Sequence, residues 1–145
     1  MPELSGWSHV SFSVRDRDAS VRFYTEVLGF QTMAVTDKPD WPQTLMIHRT
    51  GVCISFQQHT ANSGEPFHYA TTGLDHFGFA VGSVEELLRW SERLEELGVE
   101  HSPVRETDFG QFVSFEDPDG IQLELFYSPL AAGASEAPGA RPRRR

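Results

Sequence analysis

The segment Asp117-Pro-Asp-Gly-Ile-Gln-Leu-Glu-Leu-Phe126 contains a turn and then a strand in which polar and apolar residues alternate. A similar strand pattern follows Gly51, and the two glycines Gly51 and Gly120 lie 69 residues apart. A second pair of glycines, Gly29 and Gly98, has the same separation, and each of the two ends a helical pattern. A repeated spacing of this kind predicts two copies of one module.

Each copy is predicted to run strand, helix, strand, strand, strand, which gives an α+β fold of two βαβββ modules. Module one covers about residues 7–57, a linker covers 58–73, and module two covers about 74–127. We expect one domain over 1–130 and a disordered tail over 131–145. The strands predicted for module two lie at 76–81, 99–104, 111–115 and 121–126.

Composition limits the functions open to this chain of 145 residues. Its net charge is −9, and four of its 12 basic residues lie in the tail, so the remaining body should repel nucleic acid. No stretch resembles a membrane span or an export signal, which favours a cytoplasmic protein. Cys53 is the single cysteine, so an internal disulfide and multi-cysteine zinc motifs are excluded. A metal would need His, Asp or Glu ligands.

Strand parity places three residues of ligand type on polar faces. His9 and His76 open the matching first strands of the two modules, and Glu124 lies in the last strand. Two histidines and one carboxylate favour Fe(II) or another divalent ion with open coordination positions, and zinc is an alternative. In a simpler interpretation the two histidines are hydrogen-bonded turn residues and the glutamate is solvated. That interpretation does not explain why the first strand of each module begins with a histidine.

Several motifs together resemble one known family, the vicinal oxygen chelate superfamily. This superfamily includes glyoxalase I, extradiol dioxygenases, fosfomycin-resistance thiol transferases, methylmalonyl-CoA epimerase and bleomycin-binding proteins. The similarity covers about residues 7–127. It is carried by His9-Val-Ser-Phe-Ser-Val14, Phe23-Tyr24, Val27-Leu-Gly-Phe30, Leu74-Asp-His76 and the segment 117–126.

The resemblance implies that the two modules form a cupped mixed β-sheet with flanking helices. It also implies a divalent metal ion (Fe(II), Mn, Zn or Ni) with His9, His76 and Glu124 as ligands. A small oxygenated substrate would bind this ion through two oxygens, and the protein would be a homodimer. The superfamily's fourth ligand position falls on Ser55, a poor ligand.

The resemblance leaves several activities open, because one fold hosts many reactions. The first hypothesis is a metal-dependent enzyme, dioxygenase-like if the ion is Fe(II). The alternative is a metal-free drug-binding protein that sequesters an antibiotic, and a glyoxalase-type lyase or a fosfomycin-resistance transferase is a further alternative. Candidates for catalytic residues are His48, His101 and Gln57.

Overall fold

The computed structural model describes residues 1–4 and 6–129, so the predicted tail at 131–145 lies outside the described residues. The first module consists of β1 (Val10–Ser13), α1 (Arg17–Glu26), β2 (Gln31–Thr36), β3 (Gln43–Ile47) and β4 (Cys53–Gln57). The second consists of β5 (Phe77–Ala80), α2 (Val84–Glu96), β6 (Arg105–Thr107), β7 (Gly110–Glu116) and β8 (Gln122–Tyr127). The prediction of two βαβββ modules is confirmed.

The chain divides into two compact units that follow the modules except at one turn. The first unit comprises residues 1–75 together with 116–121, the turn between β7 and β8. The second comprises residues 76–115 and the described residues from 122 onward. The turn that links β7 to β8 therefore packs in the first unit.

In the first unit α1 covers one face of a four-stranded sheet of order β1-β4-β3-β2. Asp16 caps α1 by accepting a hydrogen bond from Ala19 N at 3.0 Å, and Gly29 follows the helix with φ +77°, a conformation that glycine adopts without strain. The core between helix and sheet consists of fully or nearly fully buried side chains, among them Phe12, Tyr24, Phe30, Met46, Ile54 and Phe56.

In the second unit α2 packs on a sheet of order β5-β8-β7-β6. Ser83 caps α2 through its hydroxyl oxygen, which accepts a hydrogen bond from Glu86 N at 3.2 Å, and Gly98 ends the helix with φ +68°. The buried side chains of this unit are Leu87, Leu94, Val113, Phe115, Leu123 and Leu125. Alternate residues of β7 and β8 thus face α2, as their parity predicts.

The strands of the two sheets are paired in the same way. The first strand of each module pairs in parallel with its last strand, with Val10 opposite Ile54 in one and Phe77 opposite Leu123 in the other. His9 and His76, each one residue before these pairs, are therefore structurally equivalent. By the same comparison Glu124 is equivalent to Ser55.

The sixth strand differs from its prediction. A strand was expected over 99–104, but only an isolated bridge joins His101 to Phe115, and β6 begins at Arg105. Pro103 has no N–H to donate to a ladder, which accounts for the interruption. Ser102 compensates by donating its N–H to Ser114 O at 2.8 Å.

Within the described part of the chain, no helix is long and apolar enough to cross a membrane.

Candidate metal centre

His76 and Glu124 lie next to each other on one face of the second sheet. His76 Nε2 is 3.6 Å from Glu124 Oε2, and the exposed fractions of the two side chains are 44% and 13%. The face of the second sheet that does not pack against α2 is called the second open face. It carries Gly78, Ala80, Glu124 and Phe126, whereas Leu123 and Leu125 are buried on the opposite face. Two of the three predicted ligands are thus brought together by the pairing of β5 with β8.

The strand pairing explains why these two side chains meet. Glu124 lies opposite Gly78 in the parallel ladder, so no side chain from β5 stands directly across from it. Leu123 and Leu125 on either side are buried under α2, and this burial fixes the face to which Glu124 points. His76, two residues before Gly78, reaches Glu124 from the start of the neighbouring strand.

His9 lies in the first unit, at the exposed start of β1. Its Nδ1 is 3.1 Å from the hydroxyl oxygen of Ser8. A hydrogen bond at one ring nitrogen orients an imidazole whose other nitrogen binds a metal ion. Among the described residues, no three His, Cys, Asp or Glu side chains form a group that could hold a metal ion. The complete set of His9, His76 and Glu124 therefore stays a prediction.

The first unit has a pair of serines at the positions equivalent to Gly78 and Glu124. Ser55, the equivalent of Glu124, is fully buried, and its hydroxyl oxygen is 2.5 Å from that of Ser11 on β1. Ser11 and Ser55 are directly paired in the ladder. Ser55 has no carboxylate, and a hydroxyl engaged in this way is a poor metal ligand. The first sheet therefore has no equivalent of the Glu124 carboxylate.

Two of the three catalytic candidates lie on the helix-facing sides of their sheets. His48 follows β3 and packs against Phe30 with ring centroids 5.2 Å apart, and burial, followed by the charge of Arg49, lowers its pKa. His101 lies near α2, where its Nε2 is 3.9 Å from Glu95 Oε1. Both histidines therefore lie on the helix side of their sheets, away from the faces that remain open to solvent.

The third candidate, Gln57, is half-buried at the end of β4. It pairs with Ser13 on one side and with Gln43 on the other. Its parity matches that of Ser55, so it lies on the face of the first sheet that does not contact α1.

A buried polar cluster in the first unit was not predicted from the sequence. Asp117 is 6% exposed, and its Oδ1 accepts hydrogen bonds from the backbone N–H groups of Asp119 and Ile121, both at 2.9 Å. Tyr24, fully buried in α1, donates its hydroxyl to Asp117 Oδ2 at 3.3 Å. Arg15 Nε donates to Asp119 Oδ1 at 2.6 Å.

Burial raises the pKa of Asp117 to about 6, and the nearby charge of Asp119 contributes in the same direction. Burial also raises the pKa of Tyr24 well above its ordinary value. Residues 117–120 were predicted to form a hairpin turn. No local pattern in the sequence indicates that the partner of this turn is a tyrosine more than ninety positions earlier.

Comparison with known proteins supports one family. The family model described as "Glyoxalase/Bleomycin resistance protein/Dioxygenase superfamily" matches residues 6–125. A glyoxylase/bleomycin resistance protein/dioxygenase domain from Frankia sp. EAN1pec has a similar structure, with a TM-score of 0.80 and 34% sequence identity, and the match covers 87% of this chain and 99% of that one.

Curated relatives have several activities in their names. The putative ring-cleaving dioxygenase MhqA of Bacillus subtilis is 28% identical over 85% of this chain, but the match spans only 40% of MhqA. The glutathione transferase FosA of Serratia marcescens is 30% identical, and the match covers 89% of this chain and 85% of FosA. These names differ in reaction, so similarity alone does not select one.

Proposed function

Because the chain belongs to the glyoxalase/bleomycin resistance protein/dioxygenase superfamily, we propose that it is a metal-dependent enzyme that binds a small oxygenated substrate through two oxygens. The ion is held by His76 and Glu124 of the second unit and by His9 of the first unit, from this chain or from a second copy in a homodimer. The observation that carries this proposal is the contact between His76 Nε2 and Glu124 Oε2 at 3.6 Å.

The chemistry of this pair fits a divalent ion. A neutral imidazole nitrogen and a carboxylate oxygen are ligands for Fe(II), Mn, Zn and Ni alike. Two such ligands, each about 2.1 Å from a common ion, would be separated by about 3.0 to 3.4 Å. The separation of 3.6 Å between His76 Nε2 and Glu124 Oε2 requires only a small side-chain adjustment. Both groups are reachable from solvent, as a substrate site requires.

The internal equivalence of the modules supports His9 as the third ligand. His9 and His76 occupy the same position relative to the parallel pairing of first and last strands. Ser8 contacts His9 Nδ1, so Nε2 is the nitrogen that would bind the ion. Ser55 replaces the fourth ligand of the family pattern, and a three-residue set leaves positions open for two substrate oxygens.

When bound, the ion would act as a Lewis acid that stabilises negative charge on the substrate oxygens. The chain's own residues would then position the substrate. Glu124 is mostly covered, so its carboxylate is held in one place, whereas His76 is more exposed to solvent. Gly78, opposite Glu124, leaves room for a substrate directly beside the carboxylate.

Among the reactions named for relatives, a three-ligand set fits both a dioxygenase-like reaction and a fosfomycin-resistance transferase. The scarcity of basic residues on the second sheet, where Arg105 is the one arginine described, favours the dioxygenase-like reaction. The putative ring-cleaving dioxygenase supports this choice by name, although the chain spans about two fifths of that protein. A lyase of the glyoxalase type would need a fourth ligand where Ser55 stands.

Elemental analysis of protein purified without chelator tests the proposal. We expect about one divalent ion per chain in the wild type and almost none in His76→Ala or Glu124→Gln. His59→Ala is the matched control, because His59 is an exposed histidine in the linker, and this variant should retain the ion. Wild-type protein that takes up no ion, even after incubation with Fe(II), Mn, Zn and Ni, would overturn the proposal and favour the metal-free binding protein.

A further inference from the structure

Two phenyl rings lie beside the candidate ligands on the second open face. Phe126 is two residues after Glu124 on β8, and Phe112 lies on the neighbouring β7. Their ring centroids are 6.3 Å apart and their planes differ by 16°, so the rings stack across the two strands. We call Phe112 and Phe126 the phenyl pair.

The phenyl pair is not part of the core beneath α2. The core residues of these strands are the alternate ones, Val113, Phe115, Leu123 and Leu125, all at most 3% exposed. Phe112 and Phe126 are instead half-buried on the opposite face. Packing against the helix therefore gives no reason for two large aromatic side chains at these positions.

The other side of Phe126 is lined by small residues. Ala80 is its partner on β5, Gly78 is the partner of Glu124, and both are exposed. No atom lies within 4 Å of a Cβ built on Gly78. The result is a shallow space over β5, with the carboxylate of Glu124 at one end and the ring of Phe126 at the other.

The spacing of Glu124 and Phe126 along β8 suits a ring attached to a chelating group. Residues i and i+2 of a strand are about 7 Å apart, so Phe126 lies about that far along β8 from Glu124. A six-membered ring carried directly on an oxygen-chelating group has its centre at a comparable distance from the chelated ion. Offset stacking with a phenyl side chain is favourable beyond simple burial of area.

The charges of the second unit argue against a highly anionic substrate. Its basic residues, within the described part of the chain, are Arg89, Arg93 and Arg105. Arg89 and Arg93 lie on α2 and pair with Glu86 and Glu96. Arg105 alone belongs to the sheet, opposite Phe112 on the outer strand. A phosphonate dianion, which is suited to several Arg or Lys side chains, has little to bind here.

We propose that the phenyl pair is a specificity determinant that selects substrates with an apolar, planar ring next to the two chelating oxygens. This inference rests on the proposed function, because it assumes that the oxygens bind an ion at His76 and Glu124. Phe126 would contact the ring directly, and Phe112 would support Phe126 from behind through the stacked contact.

Two hydroxamates that differ only in the ring provide the test. Acetohydroxamate and benzohydroxamate chelate metal ions through the same two oxygens, but only the second carries a phenyl group. Their affinities for the zinc-loaded protein would be measured by isothermal titration calorimetry. Each affinity is then corrected for the affinity of the same hydroxamate for free Zn²⁺ in the same buffer.

We expect the wild type to bind benzohydroxamate about tenfold more tightly than acetohydroxamate after this correction, about 1.4 kcal/mol. Phe126→Ala should reduce the ratio to near one, and Phe126→Leu, which keeps apolar bulk, should reduce it less. The matched control is Phe109→Ala, since Phe109 is a 68% exposed phenylalanine at the turn before β7. This variant should keep the wild-type ratio.

The outcomes separate the two proposals. If both hydroxamates bind with equal corrected affinity, or if Phe126→Ala keeps the wild-type ratio, the specificity inference is wrong while the metal site stands. If zinc does not bind to the wild type, the same comparison is made with Mn, Ni or Fe(II). If none of the four ions binds, or if acetohydroxamate does not bind to the metal-loaded protein, the proposed function is wrong and the inference falls with it. Should Phe126→Ala fail to fold, Phe126→Leu and the wild-type ratio still decide the question.

Discussion

Tyr24 donates its hydroxyl to Asp117 Oδ2 at 3.3 Å, inside the first unit. The two residues are 93 positions apart in the chain, one in α1 and the other in the turn that precedes β8. Asp117 also accepts two backbone N–H bonds within its own turn, from Asp119 and Ile121. This contact ties the turn that leads into the Glu124 strand to the first unit's core.

The buried Asp117 carboxyl makes folding stability depend on pH in an unusual direction. Its pKa rises from 3.8 to about 6 on folding, mainly because burial disfavours the charged form, with Asp119 adding repulsion. Between these two values the folded state binds more protons than the unfolded state. The contribution of this group to stability is therefore fully present at low pH and is lost as the pH rises through about 6.

Asp117→Asn isolates this effect, because the amide keeps an acceptor oxygen for the two backbone N–H groups. We expect the wild type to gain about 2 kcal/mol relative to the variant when the pH falls from 7 to about 4.5. Urea unfolding of both proteins at the two pH values measures the difference. A stability difference that does not change with pH would contradict the raised pKa.

The Tyr24 hydroxyl should stabilise the fold modestly. Tyr24→Phe keeps the ring but leaves Asp117 Oδ2 without its donor, so we expect a loss of about 1 kcal/mol in the free energy of unfolding. The pKa of Asp117 should rise further, because the lost hydrogen bond lowers it. Carbon NMR titration of the Asp117 carboxyl follows this shift.

Tyr69→Phe is the control for this experiment, since Tyr69 is 62% exposed. We expect it to leave both the stability and the Asp117 titration unchanged. Equal effects of the two substitutions would indicate that the buried hydroxyl has no specific role.

Gly110 at the start of β7 should not tolerate a side chain. Its φ is +148°, and a Cβ at this position would lie 1.9 Å from the carbonyl oxygen of Tyr127. We expect Gly110→Ala to lower the free energy of unfolding by about 2 kcal/mol or more. In Gly82→Ala the added Cβ meets nothing within 4 Å, and we expect a much smaller change. Thermal unfolding of both variants compares them, and equal melting temperatures would contradict this account.

The order of helices and strands was predictable from the sequence because the patterns that indicate it are local. Gly29, Gly51, Gly98 and Gly120 all have positive φ, which explains why the repeated spacing of glycines marked helix ends and hairpin turns. The alternation of buried and partly exposed side chains along β8 was likewise predicted from strand parity alone.

Long-range relationships were harder to predict. The strand predicted over 99–104 included His101, but Pro103 interrupts the ladder, and the imidazole of His101 lies near α2 instead. The pairing of Tyr24 with Asp117 depends on how distant segments meet, which no local pattern records. The placement of His76 and Glu124 on polar strand faces, by contrast, was predicted from strand parity, while the parallel pairing of β5 with β8 that brings them together is seen only in the structure.

The central claim is that His76 and Glu124 bind a divalent ion, and the most direct measurement is anomalous diffraction from crystals grown with Mn(II). We expect one anomalous peak per chain, within about 2.3 Å of His76 Nε2 and a Glu124 carboxylate oxygen, with His9 from the same chain or a second copy as the third protein ligand. A manganese-saturated crystal with no peak at this pair, or with its peaks only at other carboxylates, would contradict the account.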